Sequence, residues 1–192
     1  THTLQFPPTP TPLPTLPIHL LTTSSTHQLN LSHHAHTWRI FIMFQHNLDM
    51  LKQAIRSYDD ASDIMVQNMI IIDNSATQEA FKDEYVKATV QEVVLTGSRL
   101  NFPQLHNFMA DIALERRYEF YFWAHADNYV LARDATSDLG KDVLQCLNSQ
   151  ATLNENWGVV FFAYDQLAAF RTRALAAVPW DPHVFQYGTK FP

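Results

Sequence analysis

Cysteine and glycine are both scarce in this 192-residue chain, which contains one cysteine and four glycines. The single cysteine, Cys146, excludes an internal disulfide and a cysteine-rich metal site. It lies in a predicted helix, where we expect a buried and chemically inert thiol. The chain contains no glycine trio of the dinucleotide-binding type, no GxxxxGK[ST] loop and no GxSxG elbow. Any bound phosphate group must therefore be held by a metal ion, by arginines or by helix N-termini.

Excess positive charge and long apolar runs are missing as well. The formal net charge is -6 at pH 7, which argues against a dedicated nucleic-acid-binding protein because such proteins present a basic face. No run approaches the ~20 apolar residues that cross a bilayer, so we expect no membrane segment in this chain. Hydrophobic residues make up 46% of the chain and charged residues 17%, which is typical of a globular domain.

Two regions of different composition divide the chain. Residues 1–37 contain the proline–threonine alternation "FPPTPTPLPTLP" followed by a polar stretch without periodicity, which predicts an N-terminal tail. Residues 38–192 alternate between strand and helix patterns and form the predicted domain. The chain begins at Thr1 and ends at "YGTKFP", and we expect the domain to be incomplete at its C-terminus.

The predicted domain contains five apolar runs that are typical of buried strands, at residues 38–45, 68–73, 91–97, 118–124 and 157–163. Helical patterns lie between them, with predicted N-caps at Asn47 and Asn101 and a capping box formed by Ser75 and Gln78. Further helices are predicted over 137–148 and from Arg171 to Pro179. This alternation predicts an α/β fold, with a mostly parallel twisted sheet flanked by helices on both faces.

Polar side chains follow three of these strands. They are Gln45 and His46 after the first strand, Asp73 and Asn74 after the second, and His125, Asp127 and Asn128 after the fourth. Ligands of parallel α/β sheets bind beyond the carboxyl ends of the strands. We therefore expect these residues to lie at or near a binding site.

The segment "HAD" at residues 125–127 is the candidate metal site. Asp127 supplies the hard carboxylate oxygen that Mg²⁺ and Mn²⁺ prefer. His125 points to the same side if the strand continues, and an imidazole ligand shifts the preference toward Mn²⁺. The alternative is that Asp127 and Asn128 only form a turn, as these residue types commonly do. Spacing alone does not decide between the two.

Four segments, taken in order, resemble family-2-type glycosyltransferases with the GT-A fold. "IFIMFQHNLDMLKQAIRSY" resembles the opening strand and helix of that family, and "MIIIDNSATQEAF" its second strand. "YFWAHADN" occupies the place of the strand that ends in the DXD motif. "FFAYDQLAAFRTRALAAVPWDPHVFQYG" resembles the later segment on the acceptor side. The resemblance extends over residues 38–188.

The resemblance implies a GT-A fold and transfer of a sugar from a nucleotide-sugar donor to an acceptor hydroxyl, with Mn²⁺ or Mg²⁺ on the diphosphate. Asp127 would hold the metal, and His125, which replaces the first acidic residue of the DXD motif, would be a second ligand. Asp73 would accept hydrogen bonds from the ribose or base. Gln45 and His46 would line the same pocket, with Asn74 beside Asp73.

The remaining implied residues lie on later loops. Arg99 either contacts the donor or is a solvated loop arginine. Trp180, Asp181 and His183 would face the acceptor. Trp180 either stacks on the acceptor or fills the core under the loop. Asp165 follows the fifth strand and is either a site residue or a residue that forms the turn. The family's general base lies beyond this region, so the base stays unassigned, with Asp181 and Asp165 as candidates.

Two other classes stay open. A non-catalytic nucleotide-sugar-binding module would keep the fold with a degenerate metal motif and no base. A GT-A-like nucleotidyltransferase normally opens with a glycine-rich basic loop, and "FQHNLDM" does not match that pattern. A carbohydrate, lipid or protein acceptor fits equally, and so does either a secretory or a cytoplasmic location.

Overall fold

A computed structural model describes residues 38–131, 134, 136–154, 156–163 and 166–181 of the chain. The predicted N-terminal tail, residues 1–37, lies outside the described residues, as do Asp165 and His183. No helix within the described ranges has the length and hydropathy needed to cross a membrane.

Six strands form one sheet in the order β3-β2-β1-β4-β6-β5. Their bounds are Trp38–Phe44 (β1), Met69–Asp73 (β2), Glu92–Leu95 (β3), Phe120–His125 (β4), Val159–Ala163 (β5) and Leu167–Arg171 (β6). β1 pairs in parallel with β2 and β4, and β2 pairs in parallel with β3. β6 runs antiparallel to both β4 and β5. The sheet is therefore mixed, with a parallel part that brings the carboxyl ends of β1, β2 and β4 to one edge.

Seven helices flank the sheet within the described residues: Leu48–Ala61 (α1), Asp63–Gln67 (α2), Glu79–Lys82 (α3), Glu84–Thr89 (α4), Phe102–Glu115 (α5), Leu139–Leu153 (α6) and Thr172–Ala177 (α7). The predicted cap at Asn47 is confirmed, since its side chain accepts a hydrogen bond from the amide of Met50. Asn101 caps α5 through a reciprocal box with Gln104. Both caps satisfy amides that have no partner within the helix.

The capping box predicted from Ser75 and Gln78 is wrong. Gln78 is the N-cap of α3 but adopts a left-handed conformation, with a φ of 58°, and its side chain makes no cap hydrogen bond. The predicted single helix is instead two short ones. Asp83 separates them, because its carboxylate accepts from the amide of Val86 and starts α4.

Two hydrophobic cores cover the two faces of the sheet. Ile40, Ile42 and Phe44 of β1 face one core with α1, α2 and α6, while Phe41 and Met43 face the other with α5. Alternate side chains of a strand point to opposite faces, so a strand covered on both sides must be apolar throughout. This explains why the continuous runs predicted the central strands correctly.

Cys146 is exposed, which corrects the expectation of a buried thiol. The buried face of α6 consists of Val143, Leu144 and Leu147. These residues follow helical spacing, and Cys146 lies at the edge of the face that they form, where its side chain is exposed.

Candidate functional site

The carboxyl ends of β1 and β4 meet beside an open cavity of about 260 Å³. The two strands are neighbours in the sheet, with Met43 opposite His125 at the end of the pairing. The residues lining the cavity are Met43, Gln45, His46, Asn47, Met50, Phe102, His125, Ala126 and Asp127. Four predicted site residues, Gln45, His46, His125 and Asp127, are thus brought together.

The turn after β1 places Gln45 and His46 on the exposed rim of this cavity. Asn47 closes the turn with a φ of 67°, a left-handed conformation that asparagine tolerates better than most residues. The same residue caps α1, whose first turn also lines the cavity through Met50. The amino end of a 14-residue helix, with its unpaired amides and partial positive charge, therefore opens toward the cavity.

The end of β4 supplies the two candidate metal ligands. His125 is half-buried and Asp127 is exposed. The ring of His125 lies 4.8 Å from that of Trp123 and 6.3 Å from that of Phe102, centroid to centroid, so its position is set by aromatic packing. Asn128 makes the turn: its amide donates to the carbonyl of His125 at 3.3 Å, and its side-chain amide donates to the carbonyl of Gln166.

The side chains at this edge that could bind a metal are one carboxylate, Asp127, and two imidazoles, His125 at the end of β4 and His46 on the rim. Within the described ranges of the chain, no group of three or more His, Cys, Asp or Glu side chains is arranged to hold a metal ion. Mg²⁺ and related ions are commonly bound by one or two protein carboxylates, with substrate phosphates and water completing the shell. Asp127 and His125 therefore fit a metal shared with a substrate, and not a closed protein cage.

Asp73 lies outside the cavity lining and is 1% exposed. Its Oδ1 accepts from the amide and the hydroxyl of Ser75, at 2.9 and 2.6 Å, and its Oδ2 accepts from the amide of Phe81 at 2.9 Å. Both carboxylate oxygens therefore hold the loop between β2 and α3 in place.

Asn74 is also buried and outside the cavity lining. Its Oδ1 accepts from the amide of Leu100 at 2.8 Å and from the hydroxyl of Thr96 at 3.0 Å, and its Nδ2 donates to the carbonyl of Leu100. These bonds tie the end of β2 to the loop after β3. Arg99 lies exposed on that loop, also outside the cavity lining.

An aromatic cluster behind the cavity was not predicted from the sequence. Its centre is His106 on α5, which is fully buried and lies within 5 Å of the rings of Phe102, Trp123 and Trp180. Burial, together with the nearby charge of His125, lowers the pKa of His106 to about 3. The imidazole is neutral at physiological pH, and neither ring nitrogen has a hydrogen-bond partner in the described residues. The spacing of Phe102 and His106, one helical turn apart, was the signal available in the sequence.

The turn at Trp180 is fixed to the same helix. The side chain of Asn107 accepts from the amide of Trp180 and donates to its carbonyl, both at 2.8 Å. Trp180 packs against the second core, and the next residue, Asp181, is exposed. Asp181 therefore follows a turn that is held by α5, the helix whose first residue, Phe102, lines the cavity. Asp165, the other candidate base, is not among the described residues.

The sheet order, the flanking helices and the cavity at the edge of β1 and β4 together define a GT-A fold. The mannosyltransferase PcManGT from Pyrobaculum calidifontis, solved in complex with GDP-Man and Mn²⁺, is similar with a TM-score of 0.54 and 13% identity, over 77% of this chain and 48% of that one. S. aureus TarS 1-349 is similar with a TM-score of 0.50 and 11% identity, over 79% and 52%. This chain thus spans about half the length of each structure. No protein-family model and no curated protein matches it.

Proposed function

We propose that this chain is the catalytic domain of a glycosyltransferase, which moves a sugar from a nucleotide-sugar donor to an acceptor hydroxyl with a divalent metal on the diphosphate. The observation that carries the proposal is the cavity at the carboxyl edge of β1 and β4, where Asp127 and His125 meet the rim residues Gln45 and His46 within a GT-A fold. The complex of PcManGT with GDP-Man and Mn²⁺ supports the same donor chemistry.

Asp127 and His125 would hold the metal, as one hard oxygen and one imidazole nitrogen. When bound, the ion would neutralise the charge that develops on the diphosphate leaving group. Mn²⁺ suits this pair better than Mg²⁺, since it accepts nitrogen ligands more readily. The packing of His125 against Trp123 and Phe102 restricts its ring and reduces the entropy lost on binding.

The rim of the cavity would bind the diphosphate and the nucleoside. The amino end of α1 directs free amides and a partial positive charge toward it, which favours phosphate oxygens. Gln45 and His46 add side-chain donors on the exposed rim. Asp73 and Asn74 would act on the donor indirectly, by holding the loops beside this edge, and Arg99 would reach it from the loop after β3.

The reaction forms a bond between the acceptor oxygen and the anomeric carbon and breaks the bond from that carbon to the diphosphate oxygen. The nucleoside diphosphate leaves with the electron pair of the broken bond, and the hydroxyl proton passes to a base. Asp181 is a candidate base because it is exposed beside the anchored Trp180 turn. Asp165 is the other candidate.

The proposal is tested by measuring nucleotide release from UDP- and GDP-sugars, with Mn²⁺ present, for the full chain and its Asp127→Asn and Asp60→Asn variants. Asp60 is an exposed aspartate of α1 outside the cavity lining and is the matched control. We expect metal-dependent release that falls by about 100-fold or more in Asp127→Asn, as for loss of a group that stabilises the leaving charge. Release at equal rates in both variants would contradict the metal role.

A nucleotide-sugar-binding module without turnover is the second candidate function. It is favoured by the small donor set, because no group of three or more His, Cys, Asp or Glu side chains within the described ranges is arranged to hold a metal ion. This function predicts metal-dependent nucleotide binding with no release of nucleotide from any sugar donor. The same assay, paired with a binding titration, therefore distinguishes the two functions.

A further inference from the structure

A second cavity, of about 310 Å³, lies at the opposite end of the sheet from the candidate donor site. Arg171, one of its lining residues, pairs with Phe120 at the amino end of β4, whereas His125 ends the same strand. Five residue steps separate these ends, which is about 17 Å at ~3.3 Å per residue. The two cavities share no lining residue, and they lie at opposite ends of β4.

Three arginines line this cavity: Arg117, Arg171 and Arg173. Glu119 is the one carboxylate among the lining residues, so the cavity carries a local excess of two positive charges within a chain of net charge -6. Neither Arg117 nor Arg173 forms an ion pair with another described residue. Such clustering of like charge is unfavourable unless an anion offsets it.

Arg171 is positioned before any ligand arrives. Its guanidinium lies 5.9 Å from the centroid of the Trp157 ring, and its amide donates to the carbonyl of Gly158 at 2.9 Å. Burial, and to a smaller extent the charge of Arg173, lower the pKa of Arg171, while the charge of Glu119 opposes this shift. A bound anion would reverse this effect.

The fourth polar group is the hydroxyl of Thr172. The residue is 3% exposed, lines the cavity, and its Oγ1 has no hydrogen-bond partner among the described residues. A buried hydroxyl without a partner is costly, and most are satisfied by protein or water. In the chain, Thr172 lies between Arg171 and Arg173, and all three residues line the cavity.

We propose that Arg117, Arg171, Arg173 and Thr172 form an anion site for a phosphate ester, separate from the donor cavity. Guanidinium groups bind phosphate oxygens through paired N–H donors, which lysine cannot reproduce. The phosphate can belong to a small soluble molecule or to a lipid headgroup. Leu114 lines the same cavity and is 53% exposed. An apolar group of the ligand, next to its phosphate, would therefore contact the Leu114 side chain.

The test uses the full chain with inorganic phosphate as the first ligand, at constant ionic strength set with chloride. Isothermal titration calorimetry compares the wild-type chain with Arg173→Gln and with Arg56→Gln. Arg56 is the matched control, an exposed arginine that packs on the ring of Tyr85, away from this cavity. We expect saturable binding that weakens about tenfold in Arg173→Gln, as for loss of a charged hydrogen bond, and is unchanged in Arg56→Gln.

Two further variants make the assignment specific. Thr172→Val keeps the shape of the side chain and removes the hydroxyl, so phosphate binding should weaken while the circular dichroism spectrum is retained. Asp127→Ala removes the candidate metal ligand of the other cavity and should leave phosphate binding intact. Phosphate binding that requires Mn²⁺ and is lost in Asp127→Ala would overturn the proposal, because the anion would then belong to the metal of the donor site.

The second arm identifies the source of the phosphate. Vesicles of phosphatidylcholine are compared with vesicles that also contain phosphatidylglycerol, in a sedimentation assay with the same variants. Binding to the anionic vesicles that is lost in Arg173→Gln would support a lipid headgroup, and binding of free phosphate alone would support a soluble ligand. No saturable binding in either arm, or equal binding by Arg173→Gln and Arg56→Gln, would overturn the site.

Discussion

Replacing Asp73 by asparagine separates a structural role of this carboxylate from a direct role in donor binding. In the structure the two carboxylate oxygens accept three hydrogen bonds, two from Ser75 in the loop that follows β2 and one from Phe81 in α3. Asparagine keeps one acceptor oxygen, which can continue to accept from Ser75. Its amide group would then face the amide of Phe81, so one buried donor loses its partner and meets a second donor.

The expected cost of Asp73→Asn is about 2–3 kcal/mol of unfolding free energy, since hydrogen bonds to charged groups contribute about 1.5–3 kcal/mol each and an unsatisfied buried donor adds to the loss. Asp73 is 1% exposed, so solvent does not replace the missing partner. Equilibrium denaturation in urea, followed by tryptophan fluorescence, measures this free energy directly.

The matched control is Asp59→Asn, an exposed aspartate of α1, for which we expect a change within about 0.5 kcal/mol. Nucleotide binding is measured on the same samples well below the urea midpoint. If Asp73→Asn leaves the unfolding free energy unchanged and abolishes nucleotide binding, the carboxylate contacts the ligand and the loop-bracing account is wrong.

Two further predictions concern packing, one behind the candidate site and one where α6 meets α2. His106 has a pKa of about 3 in the folded chain and an ordinary value near 6.5 when unfolded, so the unfolded state binds the extra proton between these pH values. Stability should therefore fall as the pH drops from about 6.5 toward about 3, by up to about 1.4 kcal/mol per pH unit from this residue, and His106→Phe should flatten the slope in urea titrations. Gly140→Ala should cost about 1–3 kcal/mol, because a Cβ there would lie 2.3 Å from Ile64 and 2.5 Å from Ser62, and a melting temperature equal to that of wild type would refute this.

The central strands were predictable because their burial on two faces leaves a continuous apolar run in the sequence. β1 and β4 were placed within a few residues of their observed bounds for this reason. β6 was missed: "LAAFR" contains two alanines, which favour helix, and its strand conformation depends on pairing with β4 and β5. The antiparallel part of the sheet was therefore not predicted.

The candidate site was predictable in part. The edge on which Gln45, His46 and the end of β4 lie follows from the strand order of a parallel sheet, and that edge carries the cavity. The inward position of Asp73 was not predictable, because its partners Ser75 and Phe81 depend on how the loop folds back. The contact between His106 and Trp180 joins residues 74 positions apart, which no local pattern reveals.

The proposal that Asp127 and a metal hold the donor is tested most directly by calorimetric titration of GDP and UDP into the full chain, with Mn²⁺ and without it. The account predicts binding that requires Mn²⁺ and that weakens at least about tenfold in Asp127→Asn, while Asp60→Asn binds as wild type. Binding of equal affinity without metal, or an unchanged affinity in Asp127→Asn, would contradict it.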